Sequence, residues 1–249
     1  MKPSRIFIGE FIGTFILVFI GCGSIALAIT YEYLSSLYEV AAFWTVGVTL
    51  GIYASAKLSN AHLNPAVSIA FLIDKQINLK ELINYFISQF IGAALAGLLL
   101  INLISNKIAE HNLLNASVFG EYYPNPSFEK THYWVTTPIA LLTEITATFL
   151  LIYIIFWLIK IKKLAPYVPI LVGITVGILI CIFAPLTQCC MNPARDFGPR
   201  IISYFYGWQD IAFNNNGNGW LMIYIFAPLT GGALGAIIHK YFHTKNLQH

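Results

Sequence analysis

Six apolar runs divide the chain, at Ile6 to Ile29, Val40 to Ala56, Leu82 to Ile104, Val135 to Ile159, Pro166 to Ala184 and Trp220 to Ile238. Each has about the 17–25 residues that a helix needs to cross a hydrocarbon core. Inside lipid every backbone N–H and C=O must be satisfied by protein, so runs of this length fold as spanning helices packed on one another. Composition agrees, with 57% of residues hydrophobic and only 10% charged, against about 25% in a soluble domain. The fold class predicted is an all-α membrane protein. The opening Met-Lys-Pro-Ser-Arg has the look of a signal peptide. However, the run after it is longer than a signal's apolar region, carries Glu10 and lacks a small-residue cleavage site, so it reads as a retained first span.

Charge sets the orientation. With the N-terminus inside, the inner segments hold Lys2, Arg5, Lys57, Lys75, Lys80, Lys160, Lys162, Lys163, Lys240 and Lys245, and the outer ones only Lys107, Lys130, Arg195 and Arg200. The positive-inside rule then predicts a multi-pass protein of the cell membrane with both termini cytoplasmic. The net charge of +3 is accounted for by that basic inner surface, and nothing points to nucleic acid. Cys22, Cys181, Cys189 and Cys190 lie in or beside apolar segments, without the spacing of a disulfide framework or a zinc site. No nucleophile–base pair or metal cluster is visible, so an enzyme is not expected and no cofactor is implied.

Two further helices are too short to span. Asn64-Pro65-Ala66 and Asn192-Pro193-Ala194 each place a favoured N-cap before a proline at the first helical position. The expected half-helices cover 65–73 and 193–202. The tripeptide belongs to a longer internal repeat. Glu10-Phe-Ile-Gly-Thr-Phe15 parallels Glu144-Ile-Thr-Ala-Thr-Phe149, Gly47-Val-Thr-Leu-Gly-Ile52 parallels Gly173-Ile-Thr-Val-Gly-Ile178, and Gly92-Ala-Ala-Leu-Ala-Gly97 parallels Gly231-Gly-Ala-Leu-Gly-Ala236. Within the single domain 1–249, the first repeat is read as 1–110 and the second as 135–242, joined by a long outer loop, 105–134. An odd number of spans per repeat inverts the second copy in the membrane. The half-helices then enter from opposite faces and bring their N-terminal ends, with unsatisfied N–H groups and positive dipole ends, together near the midplane. Irregular backbone at that depth needs protein cover or a wet cavity, which a water-filled pore would supply.

Six spans, inverted repeats and paired Asn-Pro-Ala loops, the second continuing Arg195-Asp-Phe-Gly-Pro199, resemble the aquaporin, or major intrinsic protein, family over nearly the whole chain. The resemblance implies a passive channel for water and small uncharged solutes. It makes Asn64 and Asn192 the pore-centre donors that hold water by its oxygen. It also puts the narrowest ring on Trp44, Ile180, Cys189 and Arg195, and a ladder of acceptor carbonyls on Asn60, Ala61, His62, Gln188, Cys189 and Cys190. Water channels of the family typically have Phe and His where this chain has Trp44 and Ile180, which with Asp196, Arg200 and Tyr123-Pro-Asn-Pro126 resembles the glycerol facilitator branch. Tyr224 resembles the water-channel branch, and Asn60 stands where the family normally has Gly. Glycerol leads among organic substrates.

Glu10 and Glu144, the acids inside the predicted spans, are symmetric, which fits buried acceptors for the two loop backbones better than a proton relay. His62 is read as bracing the first loop rather than as a ligand or a pH switch. Small residues such as Gly9, Gly13, Gly92, Gly97, Gly231 and Gly235 suit close helix packing in lipid, and by resemblance the assembly is a homotetramer with a pore in each subunit. Two alternatives stay open: a water-selective or gas-permeable channel with poor glycerol conduction, and a secondary transporter, which also uses inverted repeats and broken helices.

Overall fold

The computed structural model describes residues 2–108 and 110–245. Among the described residues, six helices are long and apolar enough to cross a membrane. In chain order with the half-helices they are α1 (Pro3–Ile29), α2 (Leu37–Ser59), α3 (Pro65–Ile73), α4 (Leu79–Ile104), α5 (Thr137–Lys160), α6 (Val168–Thr187), α7 (Pro193–Ser203) and α8 (Gly219–Phe242). The spans start where local chemistry lets them. Capping boxes at Ser36/Glu39 and Asn78/Glu81 begin α2 and α4 three residues before the apolar runs do. Pro166 lies in a tight 3₁₀ stretch, Lys162–Tyr167, so α6 starts at Val168 rather than at the proline.

The short helices, 9 residues in α3 and 11 in α7, cannot span a core of about 30 Å at about 1.5 Å per residue. Each packs on the other half of the chain, α3 on α8 and α7 on α4. The rest of the packing obeys the same correspondence, with α1 on α2 and α4, α5 on α6 and α8, and α2 against α6. Away from these contacts α4 exposes Ile83, Ile87, Ile91, Leu95, Leu99 and Leu103, one stripe at four-residue spacing. So large an apolar face suits lipid rather than water.

Glycine sets how closely the spans meet. A Cβ at Gly92 of α4 would lie 2.5 Å from the carbonyl oxygen of Phe11 in α1, and one at Gly231 would meet that of Ile145 in the same way. Both obstacles are backbone and cannot swing aside. Gly92→Ala is therefore expected to lower the thermal midpoint of the detergent-solubilised protein, overpacking costing about 1–3 kcal/mol. Gly23→Ala, whose Cβ would meet nothing within 4 Å, is expected to leave it unchanged or slightly raised. Equal midpoints would show that α1 and α4 part without cost.

Candidate functional site

The two loops ahead of the half-helices share an unusual backbone. Asn60, Ala61 and Leu63 have φ of 69°, 55° and 53°, and Gln188, Cys189 and Met191 have 62°, 63° and 51°. None is glycine, and a left-handed conformation costs about 1–2 kcal/mol for each such residue. Asn bears that conformation better than most side chains, and that of Asn60 is exposed rather than wedged into the loop's packing.

Two buried carboxylates hold these loops. Glu10 Oε1 accepts from Ser59 Oγ at 2.6 Å and His62 N at 2.9 Å, and Oε2 from Leu63 N at 2.6 Å and Gln89 Nε2 at 2.7 Å. Glu144 Oε1 accepts from Thr187 Oγ1 at 2.6 Å and Cys190 N at 2.9 Å, and Oε2 from Met191 N at 3.0 Å. The first loop is braced further by His62, whose Nδ1 lies 3.2 Å from Ser68 Oγ and whose ring stacks on Tyr85 and tilts against Phe71.

The half-helices meet end to end. Asn64 Oδ1 accepts from Ala66 N at 2.8 Å, while its Nδ2 donates to Met191 O of the opposite loop at 2.7 Å. Asn192 mirrors this, capping Ala194 N at 3.1 Å and donating to Leu63 O at 2.9 Å. Each amide nitrogen carries two hydrogens, so one N–H per Asn remains beyond this cross-link. Both residues line a cavity of about 140 Å³.

The lining of that cavity includes the aliphatic side chains of Leu17, Val48, Val67, Leu151, Val172 and Val176. It also includes the loop residues Asn60, Ala61 and His62, the two Asn, then Gln188, Cys189, Cys190 and Arg195. Among the described residues, the carbonyls of Asn60, Ala61, His62, Gln188, Cys189 and Cys190 accept no protein hydrogen bond. Trp44, Ile180, Cys189 and Arg195 all line this cavity and are at least nine-tenths buried, with the Arg195 guanidinium 4.8 Å from the centre of the Trp44 ring. A second cavity, of about 280 Å³, shares Trp44, Ile180 and Gln188 with the first and continues past Ser35, Ser36, Ser117, Asn125 and Ser127. Two of the four residues, Trp44 and Ile180, therefore border both cavities.

A fifth residue at that ring was not legible in the sequence. Glu121, in the long outer loop, puts Oε1 2.8 Å from Arg195 Nε, and both side chains are buried. Burial pushes its carboxyl above the ordinary carboxylate range, while Arg195 pulls it back down. The loop is folded onto the ring by residues of α7. Glu121 N donates to Asp196 Oδ1 at 2.7 Å, and Arg200 donates to Asp196, to the Glu121 carbonyl and to Ala212 O. Tyr224, fully buried, lies beneath the Arg200 guanidinium and is not part of either cavity wall. Its bulk therefore does not narrow the passage. The only local signal for Glu121 was its place two residues ahead of the Tyr123-Pro-Asn-Pro126 segment, whose Asn125 Nδ2 donates to Ala184 O at 2.8 Å and ties the loop to α6.

Residues 1–239 match the sequence profile of the family described as Major intrinsic protein. The chain belongs to that family. It is similar to the glycerol uptake facilitator protein of Pseudomonas aeruginosa, with 35% identity over 92% of this chain and 85% of the relative. The glycerol uptake facilitator protein of Haemophilus influenzae is 34% identical, with 96% and 92% covered. The propanediol uptake facilitator PduF of Salmonella typhimurium is 32% identical, with 96% and 93% covered. Among solved structures, the aquaglyceroporin from Plasmodium falciparum superposes with a TM-score of 0.81 at 27% identity, covering 97% of this chain and 96% of that one. Major intrinsic proteins are multi-pass membrane channels, which places this chain among transporters rather than enzymes.

Proposed function

We propose that the protein is a passive pore for water and small uncharged polyols, glycerol foremost, that excludes protons and ions. The observation that carries this reading is the mixed lining of the cavity. It combines Asn64, Asn192 and six loop residues whose carbonyls accept no hydrogen bond among the described residues with a set of aliphatic side chains. A polyol has the same mixed character, hydroxyls on one edge and C–H groups on the other. Trp44 and Ile180 would take the C–H edge at the ring, and Arg195 would donate to hydroxyl oxygen. The carbonyls act as the acceptor ladder, and the spare Asn N–H groups orient a central water by its oxygen so that it does not relay a proton. Glu10 and Glu144, the acids within the spans, are occupied by loop donors, and Glu121 is paired with Arg195, which speaks against a secondary transporter.

On this reading the chain is one domain of two inverted repeats, 1–110 and 135–242, in the cell membrane, with both termini in the cytoplasm where its lysines cluster. The pore lies within a single chain, so a homotetramer would carry four. No cofactor or enzymatic step is needed.

The test is light scattering of proteoliposomes under an impermeant sugar gradient and under a glycerol gradient. The expected result is fast shrinkage in sugar and protein-dependent reswelling in glycerol, both blocked by a mercurial and both spared in Cys189→Ser, since Cys189 is part of the ring. Fast shrinkage with no protein-dependent reswelling would mean that Trp44 and Ile180 close the ring to polyols, leaving a water-selective channel.

A further inference from the structure

Behind the Trp44 ring lies a glycine. Glycine weakens the interior of a helix, yet Gly21 stands inside α1, buried, with the indole of Trp44 against it. A Cβ at Gly21 would lie 2.4 Å from each of Cε3, Cζ3 and Cη2 of Trp44. These are consecutive atoms of the six-membered ring, and a point equally far from all of them lies over the face of that ring, not at its edge. The indole therefore lies flat on α1. At Gly92 and Gly231 the missing side chain makes room for backbone, whereas at Gly21 it makes room for a side chain that lines both cavities.

We propose that Gly21 is a positioning residue for the polyol path: having no side chain, it lets the Trp44 indole lie back on α1, which keeps the ring of Trp44, Ile180, Cys189 and Arg195 open to polyols as well as to water. Carbon atoms in contact sit about 3.5–4.0 Å apart, so a methyl group at Gly21 pushes the indole about 1 Å or more along its normal, away from α1. With α1 against one face, the displacement is taken up by the cavity and by the Arg195 guanidinium, 4.8 Å from the ring centre. Helix α1 does not retreat instead, because it packs on α4 as well as on α2, with Gly92 of α4 already against the Phe11 carbonyl. A water passes as a single heavy atom, while a polyol brings its carbon chain, so the polyol meets the narrowing first.

This inference rests on the polyol-channel reading, and one experiment separates the two. The readout is the ratio of glycerol to water permeability within one proteoliposome preparation, which does not depend on how much protein is active. It is measured for wild type, Gly21→Ala, Trp44→Phe and the double variant. Gly21→Ala is expected to lower the ratio about tenfold, the factor that an overpacking penalty inside the passage imposes on a rate. Phenylalanine lacks the half of the indole that rests on Gly21, so in the Trp44→Phe background the same substitution is expected to leave the ratio unchanged. A loss of stability alone lowers both permeabilities together and does not move it. An unchanged ratio in assembled Gly21→Ala overturns the proposal. So does an equal fall in both backgrounds, which would place the effect in helix packing rather than in the indole. Where Gly21→Ala does not assemble, the Trp44→Phe pair decides: an unchanged ratio supports the proposal, and a fall, or a double variant that fails to assemble where Trp44→Phe does, overturns it. If wild-type vesicles take up glycerol no faster than empty ones, the polyol-channel reading itself falls, and this inference with it.

Discussion

Glu10→Leu is expected to abolish water permeability and to move the protein out of the monodisperse peak in gel filtration. Leucine fills the space but accepts nothing, so Ser59 Oγ, Gln89 Nε2 and the backbone N–H groups of His62 and Leu63 all lose their acceptor inside the protein. Each buried donor left unpaired costs about 1–3 kcal/mol, together roughly 4–12 kcal/mol against a typical total stability of about 5–15 kcal/mol. Those donors also hold a loop whose left-handed residues are costly in themselves. Glu144→Leu should be somewhat milder, with three donors orphaned instead of four. Glu10→Gln should fall between wild type and Glu10→Leu, since an amide keeps one acceptor oxygen and turns an NH₂ toward two donors. Full water flux through Glu10→Leu would mean that α3 packing on α8 alone holds the first loop in place.

The second large effect concerns the ion pair at the ring. Arg195→Gln is expected to lose about 3–5 kcal/mol, because Glu121, with a side chain 1% exposed, loses its partner and must either take up a proton or stay a buried charge without compensation. Glu121→Gln leaves the opposite charge stranded, with a cost in the same range. The double variant strands neither, so its loss should be well below the sum of the singles. Thermal midpoints of the four proteins in one detergent measure that coupling as a double-mutant cycle. Strict additivity would show that the two groups do not act as a pair. Among proteoliposomes, those carrying the double variant should also leak protons under a pH gradient more than wild type, since the ring then lacks its guanidinium.

Much of this molecule could be read from local chemistry. A run of apolar residues long enough to span is a span, whatever surrounds it, and the start of α2 was written in the Ser36/Glu39 box even though hydropathy alone put it three residues late. The half-helices were legible because an Asn–Pro pair both caps and starts a helix, and α3 ends at Ile73 as its apolar run does. The parallel between Glu10 and Glu144 pointed to acceptors for the loop backbones, since a symmetric pair of buried acids needs a symmetric set of donors.

The outer loop was different. Its length marked it as notable, but a polar, irregular stretch has no periodicity from which a path can be drawn. Glu121 reaches Arg195 because Asp196 and Arg200, some 75 residues further along the chain, bind its backbone on both sides. Tyr224 lies beneath Arg200, so a residue that by family pattern resembled the water-channel branch does not line the cavity. By itself, then, the sequence determined the spans, the repeat, the caps and the paired loops, because each depends on residues a few positions apart or on bulk transfer into lipid. Only the tertiary structure decided which charges face each other at the ring, because that depends on where a distant loop comes to rest.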